Sequence, residues 1–448
     1  MSSSLSDSGS QDYNDDYRGL ILESDKGNFY AVLKKLGSGV FSSVWLGCLL
    51  QTNEFFALKI LNIGEDKSAR REIDFYNILK KETLQLCNIK EHFTAEIDDD
   101  TEQTIIVFEL MGCTLEDLLK TDKYSDGLPY NIAINITKQI LSTINVFNKH
   151  GMIHTDLKPE NILVRGENKS HKEFIKKFKD YNVKRKYDSK VNKNKHKWAN
   201  LDITKMEEIV KAALDIIHPI KDDTYCSSGN SDSDDSLVWS SESSQVSEIS
   251  EISKVSETNE SDNNTNNDSY DNVIDLPINL ENITNIKIVV GDLGTVLKDN
   301  HNFSIQTRYY RAPEIILQTS CTNKLDVWSI GCMLYELLTG TLLFSPEKTI
   351  KDNRDRGHLF EFVSVLGPLP DNQIEMSPRK TMFFTNNNLL KGHNDINYEP
   401  LSIRINKLDS LSNEEKIMTT HLLYQMLEYD PIKRSDITTL LNHPAFQM

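Results

Sequence analysis

Between Gly166 and Asn285 the residue pattern that builds a folded core stops, and beyond Asn285 it resumes. Any fold for this chain must be assembled from two separated stretches and must tolerate a long connection between them. The connection has three textures. Residues 169–197 are crowded with lysine, and Ile203-Thr-Lys-Met-Glu-Glu-Ile-Val-Lys-Ala-Ala-Leu-Asp-Ile-Ile217 then has a helical look. Ser/Asp/Glu/Asn-rich sequence follows, including Ser231-Asp-Ser-Asp-Asp-Ser and Asn263-Asn-Thr-Asn-Asn-Asp. That last part buries too little apolar surface to offset its ordering entropy. Tandem charge blocks of opposite sign read as a solvated insert. Residues 167–284 are therefore expected to form a low-complexity spacer that anchors, localises or is itself phosphorylated. A hydrophobic fraction of only 38% agrees that part of the chain stays outside a core.

The flanking stretches differ from each other. Residues 1–27 open as a Ser/Asp-rich acidic tail, expected to be disordered. Over 28–111, short β-rich runs (Phe29-Tyr-Ala-Val-Leu, Ser43-Val-Trp-Leu, Phe55-Phe-Ala-Leu-Lys-Ile, Thr104-Ile-Ile-Val-Phe) surround one helical run near Ser68–Leu79. That pattern predicts a small antiparallel sheet with one helix packed on it. Over 112–166 and again over 285–448 helical periodicity dominates. Ile132, Ile136, Ile140 and Ile144 recur as on the buried face of a long helix. The expected class is α+β, with a small β-rich part and a larger helical part.

The chain carries 67 acidic and 50 basic side chains, a formal net charge of −17. Such a surface argues against direct nucleic-acid binding and suits basic partners. Six scattered cysteines without a C-x-x-C pair match a reducing compartment. The polar N-terminus has no apolar signal segment. The apolar stretch from Asp326 to Leu338 is interrupted by Asp326 and Glu336 and falls short of a membrane span. The reading is a soluble, intracellular monomer of the cytoplasm, with the nucleus as a second location and no membrane contact.

Several segments carry chemistry. Leu36, Gly37, Ser38, Gly39, Val40, Phe41, Ser42, Ser43 and Val44 lie between two β-like runs. Gly37 and Gly39 let a hairpin fold tightly over a phosphate chain, and Ser42 takes the third glycine position of that pattern. On the next strand, Ala57-Leu-Lys59 puts a lysine among apolar residues, where it needs an anionic partner. Glu72 on the following helix is placed to pair with it.

The most informative string is Ile153-His-Thr-Asp-Leu-Lys-Pro-Glu-Asn-Ile-Leu-Val164. Transfer of a phosphoryl group to a hydroxyl needs a carboxylate to accept the proton, and Asp156 fits. It needs a cation near the departing group, which Lys158 supplies. It also needs a side-chain oxygen on a metal ion, and Asn161 stands five residues after the aspartate. Ile286-Lys-Ile-Val-Val-Gly-Asp-Leu-Gly294 reads as a strand ending in a metal-binding carboxylate, Asp292. Leu293 is expected to pack inward, and Gly294 to permit a sharp exit. Further on, Thr307, Arg311 and Glu314 lie in a substrate-receiving loop, and Glu314 can form a buried pair with Arg434.

Taken in order, these segments resemble the eukaryotic protein kinase superfamily over residues 28–166 and 285–448. The resemblance implies a bilobal fold with a five-stranded, one-helix N-lobe, a helical C-lobe, and ATP with Mg²⁺ in the cleft. Lys59, Glu72, Asp156, Asn161 and Asp292 match the family's transfer residues. Phe108 matches the gatekeeper and Glu109 to Met111 the adenine-binding linker, with Val44, Ala57 and Leu163 around the ring. Lys158 with Thr307 is the serine/threonine-type arrangement. Within the superfamily the chain resembles the CMGC group and is most similar to SR protein kinases, through His154-Thr-Asp156, Val40-Phe-Ser-Ser-Val-Trp-Leu and Ile305-Gln-Thr-Arg. Tyr310-Arg-Ala-Pro-Glu and Leu366-Gly-Pro-Leu-Pro are similar to LAMMER-type kinases.

The implied partners are protein substrates, Arg/Ser-rich ones among them, although Arg356, Gly357 and Ser364 replace acids expected near the helix after Arg354. Threonine rather than arginine before Asp156, and the short stretch from Asp292 to Glu314, imply activity without activation-loop phosphorylation. The alternative is a catalytically weak kinase-fold scaffold, and a third reading is autophosphorylation on Tyr309 or Tyr310.

Overall fold

The structure, a computed structural model, describes residues 16–39, 41–98, 101–166, 168–190, 198–217, 280–298, 303–346, 354–392 and 397–447. The Ser/Asp/Asn-rich centre of the insertion and residues 1–15 lie outside the described residues.

The chain forms a β-rich N-lobe and a helical C-lobe interrupted by the insertion, the bilobal arrangement that the resemblance implies. Strands β1 (Ile21–Glu23), β2 (Phe29–Ser38), β3 (Ser42–Leu49), β4 (Glu54–Leu61), β5 (Ile89–Asp98) and β6 (Thr101–Glu109) form one antiparallel sheet in the order β1-β2-β3-β4-β6-β5. The sheet thus has six strands where five were expected. The extra strand corrects the expectation of a disordered tail through residue 27: Tyr17, Ile21 and Leu22 are buried, and Ile21 pairs with Ala31. Their acidic neighbours disguise a short apolar set that covers the sheet, with the Tyr17 ring edge-on to Trp45 at 5.8 Å.

Register divides the inner face of this sheet into three zones. Val44 lies opposite Lys59, Leu46 opposite Ala57, and Cys48 opposite Phe55, so these side chains share one face. Helix α1 (Asp66–Leu79) packs at one end through Ala69 and Ile73 against Leu61 and Ile106. Val44, Ala57 and Lys59 form a half-buried strip in the middle.

At the other end lie the first helices of the insertion. The C-lobe begins with β7 (Cys113–Thr114), α2 (Leu115–Leu119) and α3 (Tyr130–Lys149), followed by β8 (Ile162–Val164). Beyond β8, α4 (Lys169–Tyr181), α5 (Val183–Lys190) and α6 (Ile203–Ile217) build one core with the sheet. Phe174, Phe178, Tyr187, Met206, Ile209, Val210 and Leu214 are buried there against Phe29, Leu33, Leu46 and Cys48. Phe178 meets Phe55 edge-on at 6.1 Å, and Trp198 stacks on Phe29 at 6.2 Å.

This corrects the expectation of a solvated spacer over the whole of 167–284. Aromatic residues four apart in a lysine-rich helix give α4 one apolar stripe, which composition averages away. Full burial of each larger apolar side chain contributes about 1.5–3 kcal/mol, so three such helices hold firmly to the sheet. The helical reading of 203–217 agrees with α6.

The chain re-enters the C-lobe as β9 (Ile288–Val290), which completes a small sheet in the order β7-β8-β9. In α3, Ile132, Ile136, Ile140 and Ile144 are all buried. Short α7 (Pro313–Leu317) precedes α8 (Lys324–Thr339), which is buried along most of its length and packs on α3. Among the described residues no helix is long and apolar enough to cross a membrane.

Candidate active site

The middle strip of the sheet brings Lys59 to the cleft. Its ammonium lies 2.8 Å from Glu72 Oε2 and 3.0 Å from Asp292 Oδ1. Burial alone lowers the Lys59 pKa, but the charges of Glu72 and then Asp292 outweigh it and hold the ammonium well above its ordinary range. The same pairing keeps the Asp292 carboxyl below the usual carboxylate range against the opposing pull of burial. Consecutive elements β4 and α1 thus meet Asp292, 233 residues on from Lys59, in one charge cluster, a buried cation satisfied by two anions.

The sharp turn after β9 sits elsewhere than expected. Asp292 itself adopts the left-handed conformation, with φ 52° and ψ 66°. Gly294 has no such requirement. A Cβ there would meet Ser68 Oγ at 3.4 Å and Glu72 Oε2 at 3.5 Å, ordinary van der Waals contact, so neither backbone nor space demands glycine at this position. Leu293 is buried, as its pattern predicts.

Asp156 sits at the mouth of the C-lobe in a network of donors. Thr307 Oγ1 donates to its Oδ1 at 2.6 Å and the Thr307 N–H at 3.2 Å. Asn161 Nδ2 donates to its Oδ2 at 3.0 Å and to its backbone oxygen at 2.7 Å. Lys158 Nζ lies 3.2 Å from Asp156 Oδ2 and donates to Thr307 Oγ1 at 3.1 Å. Burial would lower the Lys158 pKa, yet Asp156 and Glu160 raise it and keep it cationic.

The backbone before Asp156 is strained. Thr155, a β-branched residue, has φ 68°, a conformation that costs energy and is held only by its surroundings. Asp326, fully buried in α8, does the holding: its carboxylate accepts from His154 N at 2.8 Å and Thr155 N at 3.0 Å. His154 Nε2 donates to Gly291 O at 2.9 Å, which leaves Nδ1 to accept the Asp156 N–H at 3.3 Å. Asp326 was legible only as a charge breaking an apolar run.

Around the cleft, Phe108, Met111 and Leu163 pack with Cys87 and Val289, while Val44 and Ala57 are half-buried on the strip above. Glu109 ends β6, and Gly112 N–H donates to Val164 O at 2.9 Å, which ties the linker 109–111 to β8. Leu36 packs beside the insertion core, and Gly37, Ser38 and Gly39 are exposed at the end of β2. Ser38 pairs with Ser43, and the Gly39 N–H closes the hairpin on Ser42 O at 2.8 Å, with Phe41 exposed at the tip. Val40 lies outside the described residues.

The loop residues separate into two kinds. Thr307 faces Asp156. Arg311 is buried and turns back onto Gln306 O through Nε at 3.2 Å and Nη2 at 2.9 Å. Glu314 is wholly buried against Arg434.

Sequence reasoning passed over three acids near this site. Tyr310 Oη donates to Glu336 Oε2 at 2.7 Å. Burial pushes the Glu336 carboxyl up to about 7, with Glu160 and Glu116 adding to it. Glu160, next to the Asn161 already singled out, is itself raised by burial first and then by Glu116. Their signal was spatial: three carboxylates from α2, the loop before β8 and α8 converge only in the fold.

Comparison with known proteins agrees with this geometry. The protein kinase domain family matches residues 30–201 and 278–446. A protein of Acanthamoeba polyphaga mimivirus named as a serine/threonine-protein kinase is 27% identical, covering 97% of this chain and 90% of its own. The serine/threonine-protein kinase SRPK of Physarum polycephalum is 26% identical over 93% of this chain and 85% of its own. The protein kinase dsk1 of Schizosaccharomyces pombe is 27% identical over 93% and 80% respectively.

Proposed function

We propose, for a chain that belongs to the protein kinase family and is an SRPK-like serine/threonine protein kinase, that Asp156 accepts the proton of a substrate hydroxyl while Lys158 and Lys59 neutralise phosphate charge. The observation that carries this reading is the convergence of Asp156, Lys158 and Thr307 within hydrogen-bonding distance. A positioned carboxylate and a fixed cation are what transfer to a hydroxyl demands, since catalysis here is mostly placement and charge neutralisation.

As a kinase it uses ATP. The donor set fits Mg²⁺: Asp292 offers carboxylate oxygens, and Asn161 uses its amide nitrogen toward Asp156, leaving its oxygen for a hard cation. Two protein ligands suit a metal that completes its sphere with phosphate and water. When bound, the ion neutralises charge between phosphates. The chain's own residues orient the hydroxyl, take its proton at Asp156 and hold the γ-phosphoryl side with Lys158. In this reading Gly37, Ser38, Gly39, Ser42 and Ser43 of the hairpin form the nucleotide pocket with Val44, Ala57, Met111 and Leu163.

Glu116, Glu160 and Glu336 support a basic substrate, because a guanidinium or ammonium near Asp156 relieves their mutual repulsion. Arg/Ser-rich proteins are one such class. Thr155 Oγ1 donates to Thr295 O at 2.9 Å and Asp326 fixes the strained backbone, which supports activity without activation-loop phosphate. In this reading the protein acts as a monomer without direct nucleic-acid contact. The test is γ-phosphate transfer from MgATP to an Arg-Ser peptide, a basic protein and an acidic protein, beside Asp156→Ala. Transfer to the basic substrates alone supports the reading. ATP binding without transfer to any substrate moves the kinase-fold scaffold to first place.

A further inference from the structure

Arg165 lies one residue before the end of the C-lobe stretch that precedes the insertion, and its side chain reaches into the linker between the lobes. Nη1 lies 3.0 Å from both carboxylate oxygens of Glu109. Nη2 donates to Leu84 O at 2.9 Å and Leu86 O at 3.2 Å. The same Glu109 carboxylate accepts the Asn88 N–H at 2.9 Å. One guanidinium therefore gathers the end of β6 and the segment that follows α1.

The backbone of Arg165 is equally placed. Its N–H donates to Lys287 O at 2.9 Å, so it sits where the insertion both leaves and returns. Its two predecessors also hold the cleft: Val164 O accepts from Gly112, and Leu163 lies beneath the pocket. On the far side of the linker, Leu110 packs against the insertion core with Leu36. Residues 163–165, the end of β8 and the residue after it, thus grip the linker 109–112 from below, and the insertion core flanks it.

We infer that Arg165 is a positioning residue for nucleotide binding, holding the Glu109 side chain aside so that the backbone of 109–111 stays aligned for the adenine. The inference rests on the reading of this cleft as the ATP site. A charge-assisted bond from Nη1 to the Glu109 carboxylate is strong, and Nη2 on two carbonyls fixes the plane of the guanidinium, which suits a fixed linker. The pair is half-buried, with side-chain exposures of 35% and 26%, so part of its strength is lost to solvent screening. Arg165 touches no reacting atom, and its removal acts on nucleotide affinity more than on the chemical step.

The experiment uses the full chain and compares the parent with Arg165→Ala, Arg165→Lys and Glu109→Gln. Titration calorimetry with ADP measures affinity, and transfer kinetics give KM for ATP and kcat separately. Arg165→Ala is expected to weaken ADP and raise the ATP KM by roughly five- to tenfold, with kcat within about twofold. Arg165→Lys keeps the charge without the fork and falls between. Glu109→Gln keeps the acceptor for Asn88 and is expected to lose less than Arg165→Ala.

Equal ADP affinity in parent and Arg165→Ala overturns the inference, even if the melting temperature falls. A loss of kcat with KM unchanged overturns it as well. Failure of the parent itself to bind ADP or ATP instead removes the nucleotide-site reading on which it stands.

Discussion

Glu314 and Arg434, 120 residues apart in sequence, meet as a fully buried two-pronged pair, Nη1 to Oε1 at 2.6 Å and Nη2 to Oε2 at 2.9 Å. The guanidinium also donates to Lys324 O at 2.8 Å and Glu428 O at 2.9 Å and lies 5.1 Å from the Trp328 ring centroid. Every charged atom is satisfied, so α7 and α8 are locked to the C-terminal helices. Arg434→Met leaves Glu314 as an uncompensated buried charge and is expected to cost about 3–5 kcal/mol of stability. Chemical denaturation measures the loss. The double variant Glu314→Leu/Arg434→Met recovers a substantial part of it, because an apolar pair carries no desolvation penalty.

At the cleft, Asp156→Ala is expected to lower kcat by about 10²–10⁴ with little change in ATP affinity. The circular dichroism spectrum stays that of the parent, since Thr307, Lys158 and Asn161 are solvent-accessible enough to rehydrate. Residual transfer near the parent rate removes Asp156 as the proton acceptor.

The acid group around Glu336 gives a pH signature. With its carboxyl at about 7, Glu336 is largely protonated at pH 6 and largely ionised at pH 8. The KM for a cationic peptide is therefore expected to fall as pH rises through 7, a trend that disappears in Glu336→Gln. Stability moves the other way. A carboxyl raised in the folded state favours the protonated form, so its contribution is present below about 4.5, the ordinary glutamate range, and lost as pH climbs through 7. Thermal melts from pH 5 to 8 separate the two effects.

The insertion tests the division of the chain most directly. Joining Gly166 to Asn285 removes α4, α5 and α6 and uncovers Leu33, Leu46, Cys48 and Phe55. That deletion is expected to aggregate or to melt at a lower temperature than the parent. A deletion confined to 221–275 leaves the three helices in place and is expected to melt like the parent. If both deletions melt alike, the packed helices contribute nothing to stability.

Phosphatase treatment of the purified protein is expected to leave transfer activity unchanged, because Thr155 and Asp326 brace the catalytic loop without a phosphate. Loss of activity after treatment, restored by an upstream kinase, contradicts this.

The residues proposed for transfer drew attention in the sequence because their chemistry is written locally. Asp156, Lys158 and Asn161 stand within six residues, and a lysine inside the apolar run 55–60 announces an anionic partner. Register did the rest, setting Lys59 opposite Val44 on the face toward α1. What stayed illegible depends on contacts across the fold. Arg165 carries no motif signal at the edge of the insert, and its place beside Glu109 and Lys287 comes only with the fold. In α4 the lysines dominated the reading, although Phe174 and Phe178 decide where the helix lies. Gly294 was read as a turn residue because Asp-Leu-Gly is common as a turn. In the fold the left-handed turn falls on Asp292 instead, and Gly294 has room for a side-chain carbon.

The docking of α4–α6 on the sheet leaves Cys48 with no access to solvent, its thiol pushed up to about 12 chiefly by burial. A thiol in that position is inert toward an alkylating reagent until the helices lift. In a background where Cys226 and the half-exposed Cys321 are serine, the alkylation rate at Cys48 becomes a clock for detachment of the insertion. Read at increasing reagent concentration, it reports first the equilibrium of detachment and then its rate. The chain thus carries its own probe of how often the insertion helices leave the sheet.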